Sequence, residues 1–184
     1  TFPDNQSGTD STYTISLIVY SSDGCSDTLS QQITVFSRPT ANFNLPPNGC
    51  APLALQPADA SAGPGLSYSW SIASPLGNSV PSNNINTASP TFNIPASSSD
   101  SIVYTISLDV TDSRGCTDII QKDFTIYPLP TANFNLSNQD SCGPLSVQFT
   151  NLSSSGFNPS DTATMSFTWY LGNGTTFNGN TPPN

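Results

Sequence analysis

Tyr13-Thr14-Ile15-Ser16-Leu17 returns, residue for residue, as Tyr104-Thr105-Ile106-Ser107-Leu108, 91 positions later. Gly24-Cys25 returns as Gly115-Cys116 at the same spacing. So does Thr40-Ala41-Asn42-Phe43-Asn44-Leu45, as Thr131-Ala132-Asn133-Phe134-Asn135-Leu136. A fixed period of this kind marks an array of similar units. Within each copy apolar and polar residues alternate. Tyr104, Ile106, Leu108 and Val110 are interleaved with Thr105, Ser107, Asp109 and Thr111, and Tyr13, Ile15, Leu17 and Val19 follow the same rule. A period of two puts one set of side chains on each face of a strand. Every such strand therefore needs a second layer to cover its apolar face.

The same alternation appears at Ala41, Phe43 and Leu45, at Ala132, Phe134 and Leu136, and at Leu145, Val147 and Phe149. Tyr68, Trp70 and Ile72 are matched by Phe167, Trp169 and Leu171, and Ile33 and Val35 by Phe124 and Ile126. Helical periodicity is absent, and Gly, Pro, Asn and Ser clusters separate the runs. Short strands with turn signals between them predict an all-β chain of sandwiches, each of roughly 100 residues. One complete unit is expected over residues 40–130, the back half of a preceding unit over 1–39, and the front half of a following unit over 131–184. Ser37-Arg38-Pro39 and Tyr127-Pro128-Leu129-Pro130 are the expected linkers, short and Pro-bearing, which favours a stiff row. The chain is cut out of phase with its repeat, since Thr1-Phe2 aligns with Thr91-Phe92. The expectation is a window on a continuous fibre, in which half-units of successive copies meet head to tail, a contact that does not close on itself. Two complete domains within the chain would defeat it.

Composition removes several classes of function. Lys and Arg total 3 against 12 acidic residues, a net charge of −9. Arg38, Arg114 and Lys122 are too few and too scattered to bind nucleic acid or an anionic membrane surface. Charged residues are 8%, against a norm of roughly 25%, but 35% hydrophobic residues in strict register argue for folding rather than disorder. No apolar run is long enough to span a bilayer. There is no His and no Glu, so Ser-His or Cys-His nucleophile pairs are ruled out and acid–base work would fall to Asp alone. The chain reads as non-enzymatic. Four Cys at repeating positions suggest an oxidising compartment, and their spacing does not suit zinc.

Several pieces occur in a fixed order. Ala41-Asn42-Phe43 is followed by Gly49-Cys50-Ala51-Pro52-Leu53-Ala54-Leu55, and the second copy reads Cys142-Gly143-Pro144-Leu145-Ser146-Val147-Gln148-Phe149. A Trp strand then runs into Gly172-Asn173-Gly174, a turn that the Trp70 copy lacks. The closing pattern runs from Tyr104 to Asp118, and again from Tyr13 to Asp27. This ordered set resembles the polycystic-kidney-disease (PKD) repeat, in the versions strung along giant surface proteins of Bacteroidetes-type bacteria. The resemblance implies tandem immunoglobulin-like sandwiches, extracellular and at the cell surface, acting as spacer or adhesive modules. The function expected is a structural repeat segment of a long secreted fibre or adhesin stalk. One alternative is an array binding carbohydrate or a host surface through loops 56–67, 74–90 and 153–164. Another is an accessory domain of a secreted enzyme.

In an immunoglobulin-like topology the turns carrying Cys25 and Cys116 and the segments carrying Cys50 and Cys142 fall at opposite poles of a unit. The preferred expectation is disulfides between neighbouring units: Cys50 to the later-turn Cys of the following unit, and Cys116 to the early Cys of the preceding one. An intra-unit Cys50–Cys116 bond and free thiols stand as alternatives. Asp109, Asp112 and Asp118, with Asp23 and Asp27 in the earlier copy, are weak calcium candidates, set against a solvated acidic turn; no other cofactor is implied. Asp-Ser/Thr triplets make Ser11, Thr28, Ser101 and Thr162 candidates for bacterial O-glycosylation. Asn5, Asn135, Asn151 and Asn173 open Asn-x-Ser/Thr sequons. Trp70 and Trp169 are expected as core residues of the Trp strand rather than as sugar-stacking platforms.

Overall fold

The computed structural model describes residues 1–95, 100–137, 142–143, 145–157 and 165–182. All regular structure among them is β. The first hairpin pairs β1 (Ser11–Tyr20) with β2 (Ser26–Val35). Residues 40–130 contribute β3 (Phe43–Asn44), β4 (Gly49–Cys50), β5 (Leu53–Leu55), β6 (Ala58–Asp59), β7 (Ser67–Ala73), β8 (Ser82–Asn83), β9 (Thr91–Ile94), β10 (Ile102–Thr111) and β11 (Thr117–Tyr127). The remainder contributes β12 (Phe134–Leu136), β13 (Phe149–Asn151), β14 (Thr168–Tyr170) and β15 (Thr176–Asn178).

Residues 40–130 form a two-layered sandwich. One layer has the order β4-β11-β10-β7, and the other is made of the β3-β6 pair and the β5-β9-β8 sheet. Its backbone is the antiparallel β10–β11 ribbon, in which directly opposed residues share a face. Tyr104 lies opposite Phe124, Leu108 opposite Ile120, and Val110 opposite Asp118. On the other side of β10, Leu108 lies opposite Trp70. The period-two residues Tyr104, Ile106, Leu108 and Val110 are all buried, packed with Phe43, Leu55, Trp70 and Phe92 from the remaining strands. The Trp70 ring meets Phe43 edge-on at 5.1 Å, and its indole N–H donates to the Thr87 carbonyl at 2.9 Å, so the polar edge of a buried ring is satisfied. Trp70 is thus a core residue. Lys122 stands on the inner face opposite Ile106, and its ammonium donates to the Asn42 side chain and the Phe43 carbonyl at the rim, tying the two layers together.

The flanking segments repeat the pattern without the burial. In the β1–β2 hairpin Tyr13 lies opposite Ile33 and Leu17 opposite Leu29, the same register as β10–β11. Among the described residues, every buried apolar side chain other than proline falls between Ala41 and Ile126. Leu17 is 63% exposed where its counterpart Leu108 is 0%. The alternation at 13–19 specified which face is apolar, but no second layer lies over it among the described residues.

Residues 131–182 hold the pairs β12–β13 and β14–β15. Here the Trp169 indole N–H donates to the Gly179 carbonyl at 3.1 Å, and Phe134 stands edge-on to the ring at 5.1 Å, the relation of Phe43 to Trp70. The strand expected over Leu145, Val147 and Phe149 is shorter than its pattern: pairing begins at Phe149, and Leu145 is exposed. Its counterpart β5 is held by β9, and no described residue after 137 takes the place of β9.

The repeat provides an internal control on burial. Leu108→Ala should cost about 2–5 kcal/mol, the range for a buried leucine, whereas Leu17→Ala in dilute solution should stay within about 0.5 kcal/mol. Urea unfolding followed by Trp fluorescence checks both. Equal losses at the two sites would contradict the difference in burial.

Candidate functional site

The turn joining β10 to β11 is closed by backbone bonds from Asp112 N to the Cys116 carbonyl at 2.9 Å and from Gly115 N to the Asp112 carbonyl at 3.0 Å. Gly115 has φ +85° there, a conformation that glycine adopts without steric cost. The β1–β2 turn repeats it, with Ser21 N to the Cys25 carbonyl at 2.8 Å and Gly24 at φ +84°. The two turns differ in their side chains: Asp112 and Arg114 in one are Ser21 and Asp23 in the other.

That difference builds a junction. The Asp112 carboxylate is buried and accepts the backbone amides of Arg114 at 2.8 Å and Cys116 at 2.9 Å through Oδ1. Its Oδ2 accepts Arg114 Nε at 3.1 Å and Nη2 at 3.0 Å, which aims the guanidinium away from the turn. Nη1 reaches both oxygens of Asp10, at 2.7 and 2.8 Å, and Nη2 also donates to the Ser37 carbonyl at 3.0 Å. These five contacts match the five N–H donors of an arginine. The guanidinium lies 4.7 Å from the centroid of the Phe36 ring, a cation–π contact. Asp10 in turn accepts the Ser37 amide at 3.0 Å. Arg114 thus joins the top of the 40–130 sandwich to both ends of the preceding hairpin. The Ser37-Arg38-Pro39 linker runs through this junction: Gly8 N donates to Ser37 Oγ, and Arg38 N to the Asn5 carbonyl.

The electrostatics follow from these contacts. The Ser37 amide first, and then the Arg114 side chain, hold the Asp10 carboxyl below its ordinary value of 3.8. Burial pushes Asp112 upward, but the Cys116 and Arg114 amides and the guanidinium outweigh it, and its carboxyl also lies below 3.8. Arg114 is raised, chiefly by its bonds to Asp10. Charge-assisted, bidentate contacts of this kind are the stronger members of their class.

The residues singled out from the sequence fall as follows. Asp109, exposed on β10, and Asp118, on the inner face of β11 opposite Val110, point to opposite faces of the ribbon. Asp118 accepts the Ala41 amide at 2.7 Å, and Asp112 is committed to Arg114. The three calcium candidates are therefore not brought together, and the described residues hold no group of three metal-ligating side chains. Asp27 in the hairpin bonds its neighbouring Thr28 amide, and Asp23 sits in the exposed turn.

Cys50 pairs with Tyr127 at the far end of β11, whereas Cys116 directly precedes its first residue. Eleven residues of strand at roughly 3.3 Å each place them about 36 Å apart, well outside the roughly 7 Å reach of a disulfide. The intra-unit Cys50–Cys116 bond is excluded. Cys25 and Cys142 are exposed, each in a flanking segment.

Thr28 and Ser101 are exposed; Ser11 is half-buried beside Asn5; Thr162 lies outside the described residues. Asn5 is buried, and its amide donates to the Thr9 and Val35 carbonyls, so this sequon is a structural brace. Asn151 bonds Asn180, Asn173 caps Thr175, and Asn135 is exposed.

Sequence reasoning missed the Arg114–Asp10 pair and the role of Asn5. A signal for the first was present. Arg114 and Asp10 are positions where the repeat breaks, since their counterparts are Asp23 and Ser101.

The second surface feature is a groove of about 450 Å³ on the open side of residues 131–182, whose lining includes Ala132, Phe134, Phe167 and Trp169. Ala132, Phe134 and Trp169 correspond to Ala41, Phe43 and Trp70 of the sandwich core. No helix among the described residues is long and apolar enough to cross a membrane. No family model matches the chain, and no curated protein matches it in sequence.

Because Asp10 and Asp112 titrate below their unfolded values, the junction's ionic contribution is fully present above pH 3.8 and is lost as pH falls below it, through the lower values of the folded chain. At pH 7 the amides of 11–35 and 102–127 should therefore share one tumbling time in NMR relaxation. Arg114→Ala at pH 7, and the native chain below pH 3, should split them into two. A shared tumbling time in the variant would count against the junction.

Proposed function

We propose that this chain is a structural segment of a long extracellular fibre or adhesin stalk, made of sandwich units similar to PKD repeats and without a catalytic role. The observation that carries this reading is the Arg114 junction. A tether between independent modules needs no side chains spent on its geometry. Here a guanidinium, two carboxylates, an aromatic ring and the linker backbone are all committed to holding one unit against the next. A joint built to keep its angle serves reach and direction.

Three further observations support it. The 91-residue period makes each unit an interchangeable length of rod. The surface chemistry is poor in charge and rich in Ser, Thr and Asn. The absence of His and Glu from the sequence removes the usual acid–base groups, and Asp112 and Asp118 at the later turn are engaged in holding backbone amides and Arg114. The setting proposed is the cell surface, with successive units as the main partners.

Cryo-electron microscopy of the cell surface tests the reading. A ten-residue strand spans roughly 33 Å, so a row of such units should give filaments with an axial repeat of about 4 nm that bind antibody to the 40–130 sandwich. Antibody reaching only material released into the medium, with no filament, would argue against a stalk. Saturable binding of the chain on a glycan array, abolished by Trp169→Ala, would favour the carbohydrate-binding alternative instead.

A further inference from the structure

The chain has three cationic side chains in 184 residues, and each joins segments that would otherwise be held apart. Arg38 and Arg114 belong to the linker and to the junction with the first hairpin. Lys122 is the third, and it lies inside the 40–130 sandwich. Its ammonium donates to Asn42 Oδ1 at 3.0 Å and to the Phe43 carbonyl, 80 and 79 positions away. It also stands 5.0 Å from the centroid of the Phe43 ring. Lys122 is one of a row of ties. The segment 41–51, by which the chain enters the sandwich, runs parallel to β11, by which it leaves. Along β11, Asp118 accepts the Ala41 amide at 2.7 Å, Lys122 holds Asn42 and Phe43, and the Thr125 amide donates to Asn48 Oδ1 at 3.0 Å. Gly49 and Cys50 then pair with Ile126 and Tyr127, and the Ala51 amide donates to the Tyr127 carbonyl at 3.4 Å.

Among the described residues β4–β11 is the one parallel strand pair; every other is antiparallel. Its regular ladder covers only Gly49 and Cys50. Over the rest of the shared length the side chains of Asp118, Lys122 and Asn48 make the ties that a backbone ladder would otherwise make. Parallel running has a mechanical consequence. Tension along the chain pulls residue 41 toward the junction and residue 127 away from it. The two segments are then driven in opposite directions along their length, and the bonds between them are sheared together. An antiparallel ribbon opened from its free ends, as β10–β11 is when Ile102 and Ile126 are drawn apart, gives way one pair at a time instead. The ties at Lys122 and Asp118 are charge-assisted, the stronger kind of hydrogen bond.

We propose that the 40–130 sandwich is a load-bearing link, and that Asp118, Lys122 and Asn48 form the clamp that resists tension between its entering and leaving segments. The proposal rests on the stalk reading and adds to it how a unit withstands force along the chain. Core burial stabilises the sandwich whichever way it is pulled. The clamp has a direction, because its ties join the two segments on which tension acts.

Magnetic tweezers at constant force read that direction. The 184-residue chain is held by its two ends, so that load enters the sandwich at residue 40 and leaves it at residue 130. Unfolding of the sandwich is recognised by the release of about 30 nm of chain, from residues that extend by roughly 3.3–3.6 Å each. In a second preparation the handles are attached at Ser101 and Tyr127, which loads the β10–β11 ribbon from its open end. At the same force the sandwich should last at least about a hundredfold longer under end loading than under ribbon loading, counting about tenfold for each of two charge-assisted ties. Lys122→Met keeps the apolar stem and should shorten the end-loaded lifetime about tenfold. Asn48→Ala should shorten it as well, and neither variant should change the ribbon-loaded lifetime. Equal native lifetimes in the two directions would overturn the clamp without any variant. A Lys122→Met chain that loses lifetime equally in both directions would also overturn it, because the tie would then act on stability alone. Equal lifetimes alongside filaments on cells would leave the stalk reading standing and remove only the clamp.

Discussion

A β-ribbon with one apolar face is stable only when something lies over that face. The hydrophobic term scales with the area withdrawn from water, and an isolated two-stranded hairpin buries too little to hold itself. The rest of this molecule depends on that requirement. Between Ala41 and Ile126 it is met: β10 and β11 present Tyr104, Ile106, Leu108, Val110 and Phe124 to a layer carrying Phe43, Leu55 and Phe92, and all of them disappear from the surface. The same sequence pattern in β1–β2 leaves leucine and isoleucine in water, because no second layer among the described residues lies over the ribbon there. The groove at Trp169 is the complementary case, a cover without its ribbon. One constraint thus accounts for the central core and for both open faces.

How the β1–β2 hairpin is held against the 40–130 sandwich is a separate matter, decided by charge rather than by burial. Surface ion pairs are usually worth little. Arg114 differs from an ordinary surface pair in three ways. It is mostly covered, its donors are all committed, and the carboxylate behind it is fixed by two backbone amides of its own turn. Asp112 fixes the direction of the guanidinium before Asp10 is reached. The result is a contact that orients the hairpin on the sandwich more than it stabilises either part.

Much of the fold was legible in the chain. Alternation at Tyr104, Ile106, Leu108 and Val110 identified a strand and its inner face, and Trp70 identified the strand across from it. What alternation cannot convey is who supplies the second layer, so the Tyr13–Val19 run reads the same as its buried counterpart and is nonetheless exposed. Leu145 and Val147 show the same limit: the pattern is that of a strand, but pairing depends on a partner elsewhere. The Arg114–Asp10 contact spans 104 positions, beyond any local signal. The Asn5 sequon misleads for a related reason, because three letters cannot report that the side chain is buried between Thr9 and Val35.

The positions that repeat and the positions that do not have different tasks. Apolar residues recur at 91 because every unit needs the same interior. Asp10, Arg114 and Asp112 do not recur; Ser101, Asp23 and Ser21 stand in their places. The 21–25 turn, with Ser21 and Asp23 in those places, therefore cannot make the contact that Arg114 makes. One kind of turn thus carries two kinds of side chain: a guanidinium that reaches Asp10 and Ser37 at residues 112–116, and no such charge at residues 21–25. The departures from the repeat, more than the repeat itself, are what fix the hairpin on the sandwich.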